Sequence, residues 1–259
     1  MKHLFLALML FLIPVSARAE LVGQIVDYVH DGVALQGYLV YDDASEAKRP
    51  GVVVVHDWMG LGDYGNMRAD MLAQMGYIAF AVDIYGADNL PKNTDEAAAL
   101  SGSFKKDRNL LRQRAAAGLE VLKSHPLTDP DRIAAIGYCF GGTTVLEMAR
   151  AGLPLAGVVS FHGGLDSPNP QDGKNIKGKV LVLHGADDPF VSPENLKAFK
   201  SEMEQAGVDL RFIAYPGAVH SFTQPKADDD PFDGTAYNKA ADEDSWEQMQ
   251  QFFDEIFKQ

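Results

Sequence analysis

A lone cysteine, a pair of aspartates and one histidine stand where this chain could do chemistry. Cys139 is the only cysteine of the 259 residues, and it lies in Ile133-Ala134-Ala135-Ile136-Gly137-Tyr138-Cys139-Phe140-Gly141-Gly142. The apolar run 133–136 reads as a strand, the glycines around Cys139 as a sharp turn, and 143–151 as a helix. A nucleophile at the apex of strand, turn and helix is the geometry of a nucleophile elbow. Glycine is expected at 137 and 141 because a side chain there would collide with neighbouring backbone. A thiol at a helix N-terminus meets unpaired N–H groups and the positive end of the dipole, which favour the thiolate. The competing reading is a buried apolar cysteine between packing glycines.

A nucleophilic thiol needs a histidine to take its proton and return it to the leaving group, and the histidine needs a carboxylate to fix its tautomer. His220 follows an expected strand at 210–215, in Gly217-Ala218-Val219-His220-Ser221-Phe222. Asp187 and Asp188 follow an expected strand at 179–184. Asp188 is favoured as the acid: it completes Gly-x-x-Asp-x-x-Val from Gly185 to Val191, with Pro189 shaping the turn. Asp187 is the alternative. An oxyanion would be met by the backbone N–H of Phe140, after the nucleophile, and of Trp58, in the loop after the first central strand. Asp57 precedes Trp58 and has two readings, an acceptor holding the resting thiol or a cap of the next helix. His162 and His184 also lie at strand ends and read as wall histidines. No metal or cofactor constellation is visible; Asp228-Asp229-Asp230 with Asp233 lacks the spacing of a calcium loop and reads as a solvated charge run.

The positioning elements follow from periodicity. Residues 24–30 and 34–41 read as strands joined by the Asp31-Gly32 turn. The β-branched run 51–55 marks a strand buried on both faces. Residues 64–74 read as a helix whose Met67, Met71, Leu72 and Met75 pack in the core, and 77–82 as the next strand. A short helix at 94–100 and a longer one at 104–123 follow, the latter with Lys105, Arg108, Arg112 and Arg114 on a solvated face. Strands at 156–161, 179–184 and 210–215 alternate with helices at 193–205 and 236–257. Alternation from residue 51 onward predicts a mostly parallel sheet covered by helices on both faces. Every candidate residue then lies at the C-terminal ends of strands, where such sheets place their sites. The chain order nucleophile, acid, histidine is that of the α/β-hydrolase fold.

The start of the chain is different in kind. Lys2-His3, the apolar run 4–15 and Ala17-Arg18-Ala19 read as a secretory signal peptide over residues 1–19, too short for a stable membrane anchor. The expected mature chain is a single domain, 20–259. It keeps 21 basic and 36 acidic residues, a net charge of −15. Such a balance argues against nucleic acid and anionic membrane surfaces as partners. A lone cysteine forms no internal disulfide, and a thiol redox protein would lack a second cysteine to resolve a mixed disulfide.

Gly-Tyr-Cys-Phe-Gly-Gly at 137–142, Gly-Ala-Asp-Asp-Pro-Phe-Val at 185–191 and His-Ser-Phe at 220–222 together resemble the dienelactone hydrolases. So do Tyr237-Asn238-Lys239-Ala240-Ala241 and Ser245-Trp246, and the likeness extends from Leu21 to the C-terminus. The resemblance implies an α/β-hydrolase fold without a large lid, a triad of Cys139, His220 and Asp188, no cofactor, and hydrolysis of small esters or lactones through an acyl-cysteine. Two departures qualify it. The family's namesake has a glutamate where this chain has Asp57, and binds its substrate's carboxylate with two arginines where this chain matches Ala87 and Gln224. The expected substrate is therefore a neutral ester or lactone rather than dienelactone, hydrolysed by a periplasmic or secreted monomer. The competing reading is a non-catalytic binding protein that has kept the fold.

Overall fold

The computed structural model describes residues 20–228 and 233–258. The expected signal peptide, and Asp229 and Asp230 of the acidic run, lie outside them.

Strands β1 (Leu21–His30) and β2 (Val33–Asp42) form an antiparallel hairpin through Asp31 and Gly32, both at positive φ. From β3 (Arg49–Val55) the chain alternates: α1 (Asp63–Gln74), β4 (Ile78–Val82), α2 (Thr94–Lys106), α3 (Arg108–Ser124), β5 (Thr128–Tyr138), α4 (Phe140–Arg150), β6 (Gly157–Phe161), β7 (Lys179–Gly185), α5 (Pro193–Ala206), β8 (Leu210–Tyr215) and α6 (Lys239–Phe257). The eight strands form one sheet in the order β1-β2-β4-β3-β5-β6-β7-β8. β2 pairs antiparallel with β4, and every pairing from β4 to β8 is parallel.

Alternate residues of the central strands feed two cores. On one face Val53, Val55, Phe80, Ile133 and Val182 pack against Leu111, Leu119, Val145 and Phe199 of α3, α4 and α5. On the other, Val52, Val54, Ile136 and Leu183 pack against Ala69, Leu72, Phe252 and Phe253 of α1 and α6. This is the expected α/β-hydrolase architecture, and among the described residues no large lid stands over the strand ends. Among the described residues no helix is long and apolar enough to cross a membrane.

Three details differ from expectation. The buried face of α1 is Arg68, Ala69, Leu72 and Ala73, and Met67 is exposed. The 104–123 periodicity spans two helices. α2 continues to Lys106, and Asp107 then caps α3 by accepting from the Leu110 N–H at 3.0 Å.

The third concerns the arginines of α3, which do not form a solvated face, whereas Lys105 of α2 is exposed as expected. Arg108 and Arg114 are buried, and Arg108 pairs with Asp166. Arg112 donates to Glu147 at 2.8 Å and to Asp172 at 2.7 Å. Glu147 also accepts from Arg150, 2.9 Å away, and Arg150 makes a two-point contact with Glu202 at 2.9 and 2.8 Å. Both Glu147 and Arg150 are fully buried within α4, the helix that begins at Cys139. A buried charge must be paired to be tolerated, and here the partners come from α3, α4, α5 and the 166–178 loop.

Candidate active site

Cys139 sits directly after β5, at φ 55° and ψ −113°, a backbone region L-residues rarely occupy. The turn is tight enough to demand its glycines. A Cβ on Gly137 would lie 2.1 Å from the Gly141 carbonyl oxygen, and one on Gly141 2.2 Å from that of Val55. Thr143 N–H closes the first helical bond to the Cys139 carbonyl at 3.1 Å. The Phe140 N–H lies ahead of that bond, without an intrahelical acceptor, as an oxyanion donor requires.

His220 and Asp188 meet across two strand ends. His220 Nδ1 lies 2.8 Å from Asp188 Oδ2, and both side chains are buried. The Phe190 N–H donates to the other carboxylate oxygen at 2.8 Å, which fixes the plane of Asp188. Asp187 instead is exposed and accepts from the Gly217 N–H at 3.0 Å, so it holds the base of the histidine loop and does not reach the ring. The loops pass so close that a Cβ on Gly185 would lie 2.6 Å from the Val219 carbonyl oxygen. Burial alone would lower the His220 pKa. The neighbouring Cys139 and the hydrogen-bonded Asp188 outweigh it and raise the pKa to about 10.

Trp58 lines the cleft over Cys139, and its carbonyl oxygen accepts from the Tyr85 hydroxyl at 3.1 Å. Tyr85 is placed by Asp83, which accepts from the Tyr85 and Gly86 N–H groups at 2.8 and 2.9 Å. Asp57 does not take its expected role as the cap of the next helix. One carboxylate oxygen accepts from the Met59 N–H at 2.8 Å and the other from the Gln224 side chain at 2.7 Å. It closes its own turn and ties it to the histidine loop, whereas α1 begins after Gly62 with no side-chain cap.

The cleft encloses about 230 Å³ between Trp58, Cys139, Phe190, Val191, His220 and Thr235. Ser101, Lys105 and Asp166 also line it, and the sequence reading had not placed them there. Lys105 lies in the last turn of α2, which runs six residues past its expected end. Thr235 lies just beyond the acidic stretch read as a solvated charge run, and Gly234 accepts from the His220 N–H at 3.1 Å. Ala87 lines a separate, smaller cleft with Ile25 and Leu90. His184 is buried beside Phe212, a wall histidine as expected. His162 touches the nucleophile's own backbone. Among the described residues no group of three or more acidic, histidine or cysteine side chains could hold a metal ion.

Known proteins share this architecture. Residues 35–257 match the model of the dienelactone hydrolase family. Protein usf of Aquifex pyrophilus is 27% identical over 236 residues, 90% of this chain and 98% of that protein. Among solved structures, one named m3DLH aligns with a TM-score of 0.88 at 39% identity, covering 91% of this chain and 98% of its own. A dienelactone hydrolase-like promiscuous phosphotriesterase from metagenomic libraries aligns equally well at 38% identity, over the same shares of the two chains. With the match running from β2 to the end of α6, the chain belongs to the dienelactone hydrolase family and is a hydrolase of the ester- and lactone-cleaving class.

Proposed function

We propose that the chain hydrolyses small uncharged esters or lactones through an acyl-cysteine. The observation that supports this best is the buried His220–Asp188 pair at 2.8 Å, facing a cysteine held at positive φ on the elbow. In this reading the Cys139 thiolate, its proton on His220, attacks the carbonyl carbon. The Phe140 and Trp58 N–H groups meet the oxyanion. The intermediate collapses as His220 passes its proton to the leaving alkoxide, leaving a thioester on Cys139. Water then gives a proton to His220 and its hydroxide to the acyl carbon. The acid leaves and the thiolate–imidazolium pair is restored. Asp188 holds the ring and its charge throughout.

A neutral substrate is favoured by the matched arginine positions. Ala87 has no charge to offer, and Gln224 already donates to Asp57; neither can form the two-point contact an arginine makes with a carboxylate. We further propose that residues 1–19 direct export to the periplasm or medium, and that the mature chain is a monomer without cofactor.

The test is initial rates of residues 20–259 beside Cys139→Ala on neutral esters and lactones, dienelactone, and a neutral phosphotriester, the last because of the 38% identical relative. Activity on neutral esters that the substitution abolishes is the expected result. A low-micromolar KM for dienelactone, matching or bettering simple esters, would overturn the substrate class and leave the mechanism. No Cys139-dependent turnover of any of them would favour the binding-protein reading.

A further inference from the structure

We propose that His162, at the end of β6, is a positioning residue that sets the nucleophile's backbone against the loop carrying His220; this rests on the acyl-cysteine reading above. His162 is fully buried and has φ 39°, an uncommon conformation for a non-glycine residue. Its Nδ1 lies 3.1 Å from the Cys139 backbone N, whose N–H it shares with the Phe161 carbonyl oxygen at 3.0 Å. A nitrogen that accepts carries no proton, so the remaining proton is on Nε2. Nε2 lies 2.8 Å from Thr223 Oγ1 and donates to it.

Thr223 is three residues beyond His220, on the same loop. Its hydroxyl lies 2.7 Å from the Tyr64 hydroxyl, and its carbonyl oxygen accepts from Tyr64 at 3.0 Å and from Arg68 at 3.1 Å. Arg68 is in turn paired with Asp242 of α6, at 2.6 Å. The His162 ring also packs edge-on against the His220 ring, with centroids 5.2 Å apart. One imidazole thus joins the elbow to the histidine loop, and α1 and α6 hold that loop from behind. The β6 ladder does not depend on the ring, because the His162 backbone N–H bonds the Leu183 carbonyl oxygen at 2.8 Å. Burial, reinforced by the positive charge of His220 and Arg68, holds the His162 pKa well below its ordinary value and keeps the ring neutral, as its accepting Nδ1 requires.

The experiment compares His162→Ala, His162→Asn and His162→Gln in residues 20–259. An asparagine oxygen overlies Nδ1 and tolerates positive φ, so it can accept from the Cys139 N–H; a glutamine amide reaches the Nε2 position. Two readouts are taken: kcat and KM on the best neutral ester, and the rate of Cys139 alkylation by iodoacetamide, each scaled to folded protein by near-UV circular dichroism. A misplacement of about 1 Å costs on the order of 100-fold in rate. Alanine is therefore expected to lower kcat roughly 10- to 100-fold, with KM within about threefold, and to slow alkylation. Asparagine is expected to recover most of both rates, and glutamine less. Equal losses in alanine and asparagine, a loss confined to KM, or unchanged alkylation would overturn the proposal. If His162→Ala does not fold, equal rates for asparagine and glutamine would overturn it. If the parent protein hydrolyses nothing, the functional reading fails separately, and alkylation alone decides on the positioning role by the same ordering.

Discussion

Arg150→Met is expected to unfold this protein more readily than any surface charge substitution, and a second substitution is expected to repair it. Arg150 is fully buried, and its guanidinium joins Glu202 at two points and Glu147 at one. Glu202 is itself buried, and Arg150 is its ion-pair partner. Removing the arginine leaves a carboxylate in an apolar setting with no opposing charge, whereas Glu147 keeps Arg112 at 2.7 Å. Breaking a buried pair from one side costs about 3–5 kcal/mol, and removing both members in favour of apolar groups is often neutral or stabilising. For a chain of this size about 1 kcal/mol corresponds to roughly 2–4 °C in Tm, so the single variant should melt roughly 6–20 °C lower. The double variant Arg150→Met with Glu202→Leu should recover at least half of the loss. Urea melts followed by circular dichroism give the free energies directly. A loss under about 1 kcal/mol in the single variant, or a double variant less stable than the single, would refute the uncompensated-charge explanation.

Asp188→Asn should keep the fold, because the amide oxygen can still accept from the Phe190 N–H, while kcat/KM falls by about 10²–10⁴ as the His220 tautomer and charge lose their support; a loss below tenfold in steady-state ester assays would exclude Asp188 as the acid. Gly137→Ala and Gly141→Ala should each abolish soluble expression or lower Tm sharply, since the added carbons meet backbone at 2.1 and 2.2 Å; unaltered melting of either would contradict the elbow's tightness. His220 has its pKa raised from 6.5 to about 10, so its stabilising contribution is complete below about pH 6.5 and is lost as pH rises through about 10. Thermal stability should therefore fall from pH 7 to 10, and less steeply in Cys139→Ser, which removes the largest favourable influence on the imidazolium; parallel profiles would count against the sulfur–imidazole coupling.

Much of the site could be read from sequence because its constraints are local. Gly137 and Gly141 flank Cys139 within the same turn, and the spacing from Gly185 to Asp188 belongs to one loop. The choice of Asp188 over Asp187 rested on that spacing, and the hydrogen-bond geometry supports it. The buried charges could not be read this way, because their meaning depends on distant partners. Arg112 meets Glu147 and Asp172, 35 and 60 residues away, and helical periodicity alone gives a basic stripe the appearance of a wet face. The α2–α3 boundary was missed for a related reason. Asp107 interrupts the chain without proline or glycine, and only its side-chain bond to Leu110 marks a new helix start. His162 showed itself as a strand-end histidine, but its role depends on Cys139 and Thr223, 23 and 61 residues away.

The distribution of backbone strain ties these observations together. Among the described residues, the non-glycine positions with positive φ are Asp31, Cys139, His162 and Ser221. Asp31 turns the outer hairpin; the other three stand at the loop tips around the cleft. Strain of this kind persists only where the surroundings over-determine it, and the surroundings here can be named. The elbow is clamped by backbone at Gly137 and Gly141, His162 is tied at both ring nitrogens, and the Ser221 carbonyl oxygen accepts from the Gln224 N–H at 2.9 Å. Behind them α4 is anchored at its far end by Arg150, about 16 Å along a helix of eleven residues from the nucleophile. Stability and chemistry are therefore separable in this fold. Substitutions at Arg150 and Glu202 should move the melting transition while leaving kcat per folded molecule unchanged, and substitutions at His162 should lower kcat per folded molecule. If the double variant of Arg150 and Glu202 regains stability but loses turnover, the charge network positions the elbow as well as holding the helix, and the division drawn here between anchor and machinery is wrong.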